Sequence, residues 1–214
     1  MPINYPNGKR FNSIKQSPVT PKTEEKRGNT EHVKSAFNTY SGRGQTLEED
    51  INESNEYYLL RGMANIHKKP TPIQIVKVDY PARSAAKIKE AYFKTPSTTD
   101  YNGVYQGKYI DFEAKETKNK TSFPLSNIHE HQITHLKAVR KQKGIGFFII
   151  RFTTLDKTYI LNSEYVFHFW DNKEKERKSI PLTFFEQNGI EIRLGLHPRV
   201  PYLEAIDELI KKMV

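Results

Sequence analysis

Residues 97–117 read STTDYNGVYQGKYIDFEAKET, and the rest of the chain is organised around them. Glu113 and Lys115 lie two positions apart in a strand-like run, so their side chains leave the same face of a sheet. Asp100 precedes the pair Asn102-Gly103, a strong short-range turn signal that would fold Asp100 back beside Glu113. Two carboxylates and a lysine that converge at a strand end suit metal-assisted phosphodiester chemistry.

The composition narrows the class of partner. The 214 residues include 34 Lys+Arg against 25 Asp+Glu, a formal net charge of +9, which favours a polyanionic partner. The absence of cysteine excludes disulfides and thiolate zinc sites. The N-terminus lacks the apolar core of a signal peptide, and no apolar run is long enough to span a membrane. We therefore expect a cytoplasmic protein that does not contact membranes.

The first part of the chain divides at about residue 43. Residues 1–43 are polar and basic without periodicity, which predicts a mobile basic arm, either a solvated tail or a phosphate-contacting segment. Residues 44–214 are predicted to form one nuclease domain. It opens on a helix in which Thr46 and Glu49 form a capping box. On the acidic face of this helix, Glu53 is the residue whose side chain we expect to point toward Asp100 and Glu113.

The stretch after this helix combines charge with aromatic side chains. Lys68 and Lys69 are interpreted as surface charges, with phosphate contact as the alternative. The alternating run IQIVKVD predicts a strand. Residues 82–97 suit either a helix or a strand, and their mixture of basic and aromatic side chains fits contact with a DNA backbone and unpaired bases, although an ordinary amphipathic element has the same pattern. The side chains in question are Arg83, Lys87, Lys89, Tyr92, Phe93 and Lys94.

A second helix is predicted from Ser126 or Asn127 to Gly144. On it, Gln132 is a candidate to reach a metal-bound water or a phosphate. Three histidines suggest zinc, but a third soft ligand and the HExxH order are missing, so this interpretation is disfavoured. They are His129, His131 and His135.

The remaining pattern predicts the fold class. Residues 146–154 are the most apolar run in the chain and predict a buried central strand, with residues 155–161 as its partner. A helix capped by Ser163, a short helix, a short strand and a closing helix after Pro201 follow. This order predicts an α/β domain with a mixed central sheet flanked by helices, the core of the PD-(D/E)xK nucleases.

The chemistry expected of this core is hydrolytic. Asp100 and Glu113 would coordinate one or two Mg²⁺ ions, with the Ala114 carbonyl as a further candidate ligand. Lys115 would orient the attacking water or neutralise the phosphate in the transition state. Asp111 shares the strand face and is expected to support the site. The alternative is an exposed Glu113–Lys115 pair that contributes less than ~1 kcal/mol.

Several stretches resemble the RecU family, the Holliday junction resolvases of Gram-positive bacteria. The resemblance is carried by GRGQTLEEDINESNEYYL, HKKPTPIQIVKVDYP, RSAAKIKEAYFK, STTDYNGVYQGKYIDFEAKETKNKTSFPL and HFWDNKE. It implies a restriction-endonuclease-like homodimer that nicks a four-way DNA junction symmetrically in recombination and repair, at the nucleoid. It also implies Mg²⁺ as the cofactor, with Mn²⁺ as a substitute. It further implies interaction with the RecA recombinase and the RuvAB branch-migration complex.

The resemblance also implies roles for individual residues. Asp100, Glu113 and Lys115 match the catalytic positions, and Thr98 would lie beside the metal. Glu53 and Gln132 match supporting positions. Residues 82–97 match a stalk that projects into the junction, which would make Arg83, Phe93 and Lys94 contact DNA. Two alternatives remain open: a sequence-specific duplex cutter, and a non-catalytic DNA-binding protein that modulates a recombinase.

Overall fold

The computed structural model describes residues 46–81 and 86–211. The predicted arm of residues 1–43 and Arg83 lie outside these ranges. The strands are β1 (Asn65–Lys68), β2 (Ile73–Asp79), β3 (Lys87–Phe93), β4 (Tyr101–Tyr105), β5 (Lys108–Thr117), β6 (Ser122–Pro124), β7 (Ile145–Phe152), β8 (Lys157–Asn162), β9 (Ser179–Pro181) and β10 (Ile190–Ile192). The α-helices are α1 (Leu47–Leu60), α2 (Glu130–Lys141), α3 (Ser163–Asp171), α4 (Leu182–Asn188) and α5 (Tyr202–Lys211).

A six-stranded mixed sheet in the order β1-β4-β5-β7-β8-β10 forms the centre of the domain. The pair β5–β7 is parallel and its neighbours are antiparallel. Every residue of β7 is buried, as a β-branched and aromatic run covered on both faces requires. The parallel pairing needs a crossover connection, and α2 lies in it.

Helices cover both faces of this sheet. On one face α1 and α5 pack over a cluster that contains Ile51, Phe112, Phe147 and Ile206. On the other face α2 and α3 pack over a second cluster, which includes Leu136, Phe148, Ile150, Phe152 and Val166. Successive residues of β7 alternate between the two clusters because side chains of a strand alternate faces. The predicted class, an α/β domain with a mixed sheet flanked by helices, is confirmed.

The first helix begins as its sequence predicts. The Glu49 N–H donates to Thr46 Oγ1 at 3.3 Å, and the Thr46 N–H donates to Glu49 Oε2 at 2.8 Å. This capping box satisfies two backbone donors that the first turn would otherwise leave unpaired. Gly62, at φ +64°, lies just past the helix end in the left-handed region that glycine adopts without strain.

Two other predicted helix starts are wrong by a few residues. The α2 helix does not begin at Ser126 or Asn127; residues Leu125–Asn127 form a 3₁₀ turn, and α2 begins at Glu130 after a capping His129. The α3 helix is capped by Asn162, whose Oδ1 accepts the Glu164 N–H at 3.0 Å, and not by Ser163. The α3 shift arises because two cap-forming residues, Asn162 and Ser163, are adjacent in the sequence, whereas the α2 start moves because Ser126 and Asn127 are used in the 3₁₀ turn.

The predicted Asn102-Gly103 turn is also wrong. Both residues lie inside β4, and the β4–β5 hairpin turns at Gln106 and Gly107, which have φ of 49° and 72°. Gly103 serves a different purpose: a Cβ built there would lie 2.1 Å from the Asn65 carbonyl oxygen. A glycine in a strand often marks such a close approach of another backbone. The glycine of an Asn-Gly pair therefore admits β1 here instead of forming a turn.

Replacing Gly103 by alanine should consequently destabilise the domain. The added methyl has backbone as its nearest neighbour, which cannot rotate away, so we expect a loss of about 2–3 kcal/mol in the free energy of unfolding. Urea denaturation followed by circular dichroism measures this loss. Val104→Ala, a change at a half-exposed position on the same strand, is the matched control and should lose less than ~1 kcal/mol. Equal stability of Gly103→Ala and the natural protein would contradict the assigned contact.

A separate two-stranded sheet resolves the open question of residues 82–97. Strands β2 and β3 pair antiparallel, with Ile73 opposite Phe93, so the described part of this stretch is extended and not helical. Every residue of β3 is exposed, and the exposed fraction of Phe93 is 83%. We call β2, β3 and the flanking Lys94 the exposed hairpin.

Within the described ranges, the helices are all too short or too polar to cross a membrane.

Candidate active site

The hairpin formed by β4 and β5 brings Asp100 to Glu113. Tyr101 pairs with Phe112 in the antiparallel register, which places Asp100 and Glu113 at the next opposed positions. The Asp100 N–H donates to Glu113 Oε2 at 3.0 Å. Asp100 and Glu113, thirteen residues apart in sequence, are therefore neighbours across the β4–β5 pair, and Glu113 lies on the face of the sheet that α2 covers.

Glu113 is fully buried and has a partner on each oxygen. Gln132 Nε2 donates to Glu113 Oε1 at 2.5 Å, and Lys115 Nζ lies 2.8 Å from the same oxygen. The Gln132 amide is itself oriented, since its Oε1 accepts the His129 N–H at 2.9 Å. The predicted positions Asp100, Glu113, Lys115 and Gln132 thus meet in one cluster, which we call the carboxylate site.

The electrostatics of the carboxylate site favour a cation. Burial raises the pKa of Glu113 to about 8; the Lys115 ammonium opposes this shift, and the nearby Asp100 carboxylate reinforces it. A buried carboxylate with so high a pKa lacks enough positive charge around it to stay ionised at neutral pH. A divalent cation next to it would supply that charge.

The donor set suits a hard cation. The ligand atoms available are carboxylate oxygens of Asp100 and Glu113, with the Ala114 carbonyl adjacent in sequence. Mg²⁺ is commonly held by one or two carboxylates and completes its coordination with waters and substrate phosphates. Among residues 46–81 and 86–211, no three His, Asp or Glu side chains gather as a ready-made metal cage. The residues present fit Mg²⁺ better than a caged zinc ion.

Beside this site lies a second polar cluster centred on Asp111. This carboxylate is fully buried and accepts hydrogen bonds at both oxygens: Oδ1 from the Thr99 hydroxyl, and Oδ2 from Lys69 Nζ at 2.8 Å and the Tyr109 hydroxyl at 2.8 Å. His135 Nε2 lies 2.9 Å from Oδ2 as well. Burial acts to raise the pKa of Asp111, but the bonds from His135, Lys69, Thr99 and Tyr109 outweigh it and lower that pKa. We call these five residues the Asp111 cluster.

Other predicted site residues have different partners. The Glu53 carboxylate lies 3.5 Å from His197 Nδ1, so the structure brings it to the C-terminal segment and not to Glu113. The Thr98 hydroxyl donates to the Thr99 carbonyl at 3.2 Å. Lys68 pairs with Glu48 on α1, at the surface. Lys69 is not the surface charge that its sequence context suggests, because its side chain is only 17% exposed.

The predicted DNA-contacting residues of the exposed hairpin are accessible. Lys87, Phe93 and Lys94 are all exposed. Tyr92, 60% exposed, donates its hydroxyl to Glu90 at 2.7 Å, and Lys89 forms an exposed pair with Asp79 at 2.8 Å. The hairpin therefore presents both positive charge and unpaired aromatic rings to solvent.

The three histidines of α2 separate in the structure. The rings of His129 and His131 stack with centroids 5.5 Å apart, whereas His135 contacts Asp111. Burial lowers the pKa of His131, and the neighbouring His129 and Lys115 lower it further. The i, i+4 spacing of His131 and His135 therefore does not bring both rings to one ligand.

Sequence reasoning missed three members of the Asp111 cluster: Thr99, Tyr109 and His135. The alternation of Tyr109, Asp111 and Glu113 along one strand face was the available signal, since it places Tyr109 beside Asp111. His135 and Thr99 reach Asp111 from other elements, and their approach depends on how α2 and the segment before β4 pack on the sheet.

The chain is similar to known proteins along almost its whole length. Residues 42–208 match the family model described as Recombination protein U. The protein named Holliday junction resolvase RecU from Bacillus cereus is 55% identical over 208 residues, covering 97% of this chain and 98% of the relative. Proteins of the same name from Bacillus thuringiensis and Bacillus anthracis have the same identity and coverage.

A solved structure with a related description is more distant. It is the Holliday junction resolvase Hjc of the archaeal hyperthermophile Archaeoglobus fulgidus, with 10% sequence identity, a TM-score of 0.39 and coverage of 67% of this chain and 92% of the other. This likeness is too remote to carry an argument about the site.

Proposed function

We propose that this chain, which belongs to the Recombination protein U family, is a metal-dependent endonuclease that resolves four-way DNA junctions in homologous recombination and DNA repair. The observation that carries the proposal is the carboxylate site, in which Glu113 lies between Lys115 at 2.8 Å and the Asp100 N–H at 3.0 Å. The alignment spans 98% of the length of a relative named Holliday junction resolvase RecU, and this name supports the same activity for this chain.

The residues of the carboxylate site divide the work of phosphodiester hydrolysis. Asp100 and Glu113 hold Mg²⁺ or Mn²⁺, with Thr98 beside them. When bound, the cation supplies an acidified water and positive charge at the scissile phosphate. Lys115 is only 20% exposed, and its ammonium lies where it can bind an oxygen of the phosphate or of the attacking water. Gln132 holds the Glu113 carboxylate in orientation through its amide.

The exposed hairpin provides the preference for branched DNA. Aromatic rings that stack on no other ring of the described residues are suited to stack on bases at a junction, where the stacking of base pairs is interrupted. Phe93 is the most exposed of them, and Lys87, Lys94 and Arg83 would neutralise neighbouring phosphates. Residues 82–97 are accordingly proposed as the projecting stalk of a nuclease domain that spans residues 44–214, with Lys68 as a further phosphate contact.

Symmetric resolution requires two sites in one assembly. One chain carries one carboxylate site, and paired nicks in two strands of a junction with two-fold symmetry call for two sites related by a two-fold axis. We therefore propose a homodimer. On the family resemblance, RecA and RuvAB are proposed as partners, and the nucleoid within the cytoplasm is proposed as the place of action.

A cleavage assay tests this function, and Lys115 supplies the sharpest variant. On a labelled four-way junction with Mg²⁺ the natural protein should make paired, symmetric nicks, and should leave a linear duplex of the same sequence uncut. Lys115→Met removes the ammonium near the phosphate and should slow cleavage by about 10²–10³-fold. Lys141→Met, at an exposed position at the end of α2, is the charge-matched control and should cut normally.

Two results would reject the proposal. Equal cutting of duplex and junction would indicate a restriction-type enzyme. Junction binding without cutting, in either Mg²⁺ or Mn²⁺, would indicate a DNA-binding protein that modulates a recombinase.

A further inference from the structure

Lys69 has its ammonium group engaged inside the protein. Lysine offers three N–H donors. Its Nζ lies 2.8 Å from Asp111 Oδ2, 3.0 Å from Thr99 Oγ1 and 3.4 Å from His135 Nε2. Nζ donates to the first two of these atoms, whereas the His135 nitrogen itself donates to Asp111, and the Lys69 side chain is 17% exposed. Lys68, one residue earlier, is 42% exposed and pairs only with an exposed glutamate among the described residues. Lys69 is therefore poorly placed to bind a DNA phosphate.

The Asp111 cluster is joined to the carboxylate site at several points. The Lys69 N–H donates to the Asp100 carbonyl at 2.7 Å. Thr99, which bonds Asp111, directly precedes Asp100 in the chain. On β5, Asp111 lies two residues before Glu113, on the same face. On α2, His135 follows Gln132 by about one helical turn, so both side chains leave the same face of the helix. Gln132 contacts Glu113 and His135 contacts Asp111.

Position in the sheet explains why Asp100 needs this support. Asp100 lies just before β4, and its ladder partner Lys69 lies just past the end of the edge strand β1. Beyond Lys69, the described residues form no further backbone bond between these two segments, and the Asp100 N–H donates to the Glu113 side chain instead of to the ladder. Lys69 is thus the last residue after β1 whose backbone bonds Asp100, and its ion pair with the buried Asp111 fixes its position. Asp111 in turn sits on the same strand as Glu113.

We propose that Lys69 is a positioning residue: through Asp111 it sets the spacing between the Asp100 and Glu113 carboxylates that a divalent cation requires. This inference rests on the function proposed above for the carboxylate site. It assigns to Lys69 a supporting role in metal binding, in place of the surface charge or the phosphate contact expected from sequence. Loss of the ammonium leaves the end of β1 and residues 98–100 free to shift, so the two carboxylates no longer converge.

The test compares Lys69→Met with Lys68→Met in the full-length protein. Mn²⁺ affinity is measured without DNA, by electron paramagnetic resonance of free Mn²⁺. Junction affinity is measured without metal at several salt concentrations, and cleavage is measured with Mg²⁺. For Lys69→Met we expect at least a roughly tenfold weaker Mn²⁺ affinity and a cleavage rate about 10²-fold lower, as small misplacements of reacting groups produce. The junction affinity of Lys69→Met and its salt dependence should match those of the natural protein, whereas Lys68→Met, which removes a proposed phosphate contact, should bind the junction more weakly. Lys68→Met should bind Mn²⁺ as the natural protein does.

Two further variants separate positioning from folding. Lys69→Met leaves the Asp111 carboxylate buried without its cation, which can unfold a protein. The double variant Lys69→Met/Asp111→Asn removes that charge as well and should still bind Mn²⁺ weakly. Lys69→Arg keeps a cationic donor and should recover part of the Mn²⁺ affinity that Lys69→Met loses.

The outcomes are distinguishable. Unchanged Mn²⁺ affinity in folded Lys69→Met or in the double variant would overturn the inference. A weaker junction affinity, with a salt slope shallower by about one counterion, would identify Lys69 as a phosphate contact and overturn it too. If the natural protein fails to cut junctions, the proposed function falls, whereas the Mn²⁺ comparison still decides the role of Lys69.

Discussion

Replacing Glu113 by glutamine is expected to abolish junction cleavage while junction binding is kept. The amide has the same shape but supplies no negative oxygen, so the cation loses one of its two protein carboxylates. A cation that activates water and neutralises the phosphate contributes several kcal/mol to transition-state stabilisation, so we expect a loss of about 10⁴-fold in rate, equivalent to ~5 kcal/mol. Single-turnover cleavage of a labelled junction with saturating Mg²⁺ measures this loss.

The fold should tolerate this substitution. Because burial raises the pKa of Glu113 to about 8, the metal-free protein already accommodates the carboxyl in its neutral form at pH 7. Thermal unfolding of Glu113→Gln without metal should remain cooperative and lie within several degrees of that of the natural protein, because removal of the buried charge offsets the contact of the new amide N–H group with the Asp100 N–H or with Gln132 Nε2. Glu130→Gln, at an exposed position on the first turn of α2, is the matched control and should cut normally. Cleavage by Glu113→Gln within tenfold of the natural rate would show that Glu113 is not a metal ligand.

Replacing Phe93 by alanine is expected to remove most of the preference for junctions over duplex. The ring is 83% exposed and lies opposite Ile73 in the hairpin, so it stabilises little of the fold and is available to a ligand. Stacking on an unpaired base is worth ~1–3 kcal/mol, and a homodimer would lose it twice, so junction affinity should fall about 10²-fold. Duplex affinity should be almost unchanged, since each base pair inside a continuous duplex is covered on both faces by its neighbours and offers no free face to the ring.

Competition binding without metal, with labelled junction and duplex, measures this change. Leu196→Ala is the control, because Leu196 is 80% exposed and lies outside the hairpin. It should bind both DNAs as the natural protein does. A parallel fall in duplex and junction affinity for Phe93→Ala would point to general damage or to a non-selective contact, and an unchanged junction affinity would remove the hairpin from recognition.

Residues close together in sequence, or related by a simple strand period, could be placed from the sequence alone. The capping box of Thr46 and Glu49 depends on contacts within one helical turn, which any tertiary context leaves intact. The common face of Glu113 and Lys115 follows from the pleat of a strand. The buried central strand β7 follows from the apolar run that begins at Gly146, and all eight residues of this strand are buried in the structure. The resemblance to a family then supplied the expectation about DNA junctions, which no periodicity contains.

Choices among equivalent local signals depended on tertiary structure. The Asn102-Gly103 pair has the composition of a turn, yet the approach of the β1 backbone uses the missing side chain of Gly103 inside a strand. Glu53 is one of several acidic residues that recur along one face of α1, and the sequence does not tell which of them approaches the site. Packing of the C-terminal segment places Glu53 beside His197. In both cases the deciding contact joins residues far apart in sequence.

The Asp111 cluster shows the same division most clearly. Sequence alone places Asp111 on the face of Glu113, because both lie on one strand two residues apart. It cannot show that Lys69, 42 residues before Asp111, and His135, 24 residues after it, converge on that carboxylate. Their convergence follows from burial: an ionised carboxylate withdrawn from water requires several donors, and only the packed sheet and helix bring them within hydrogen-bonding distance. The sequence determined which groups are proposed to carry the chemistry, and the tertiary structure decided which other groups contact them.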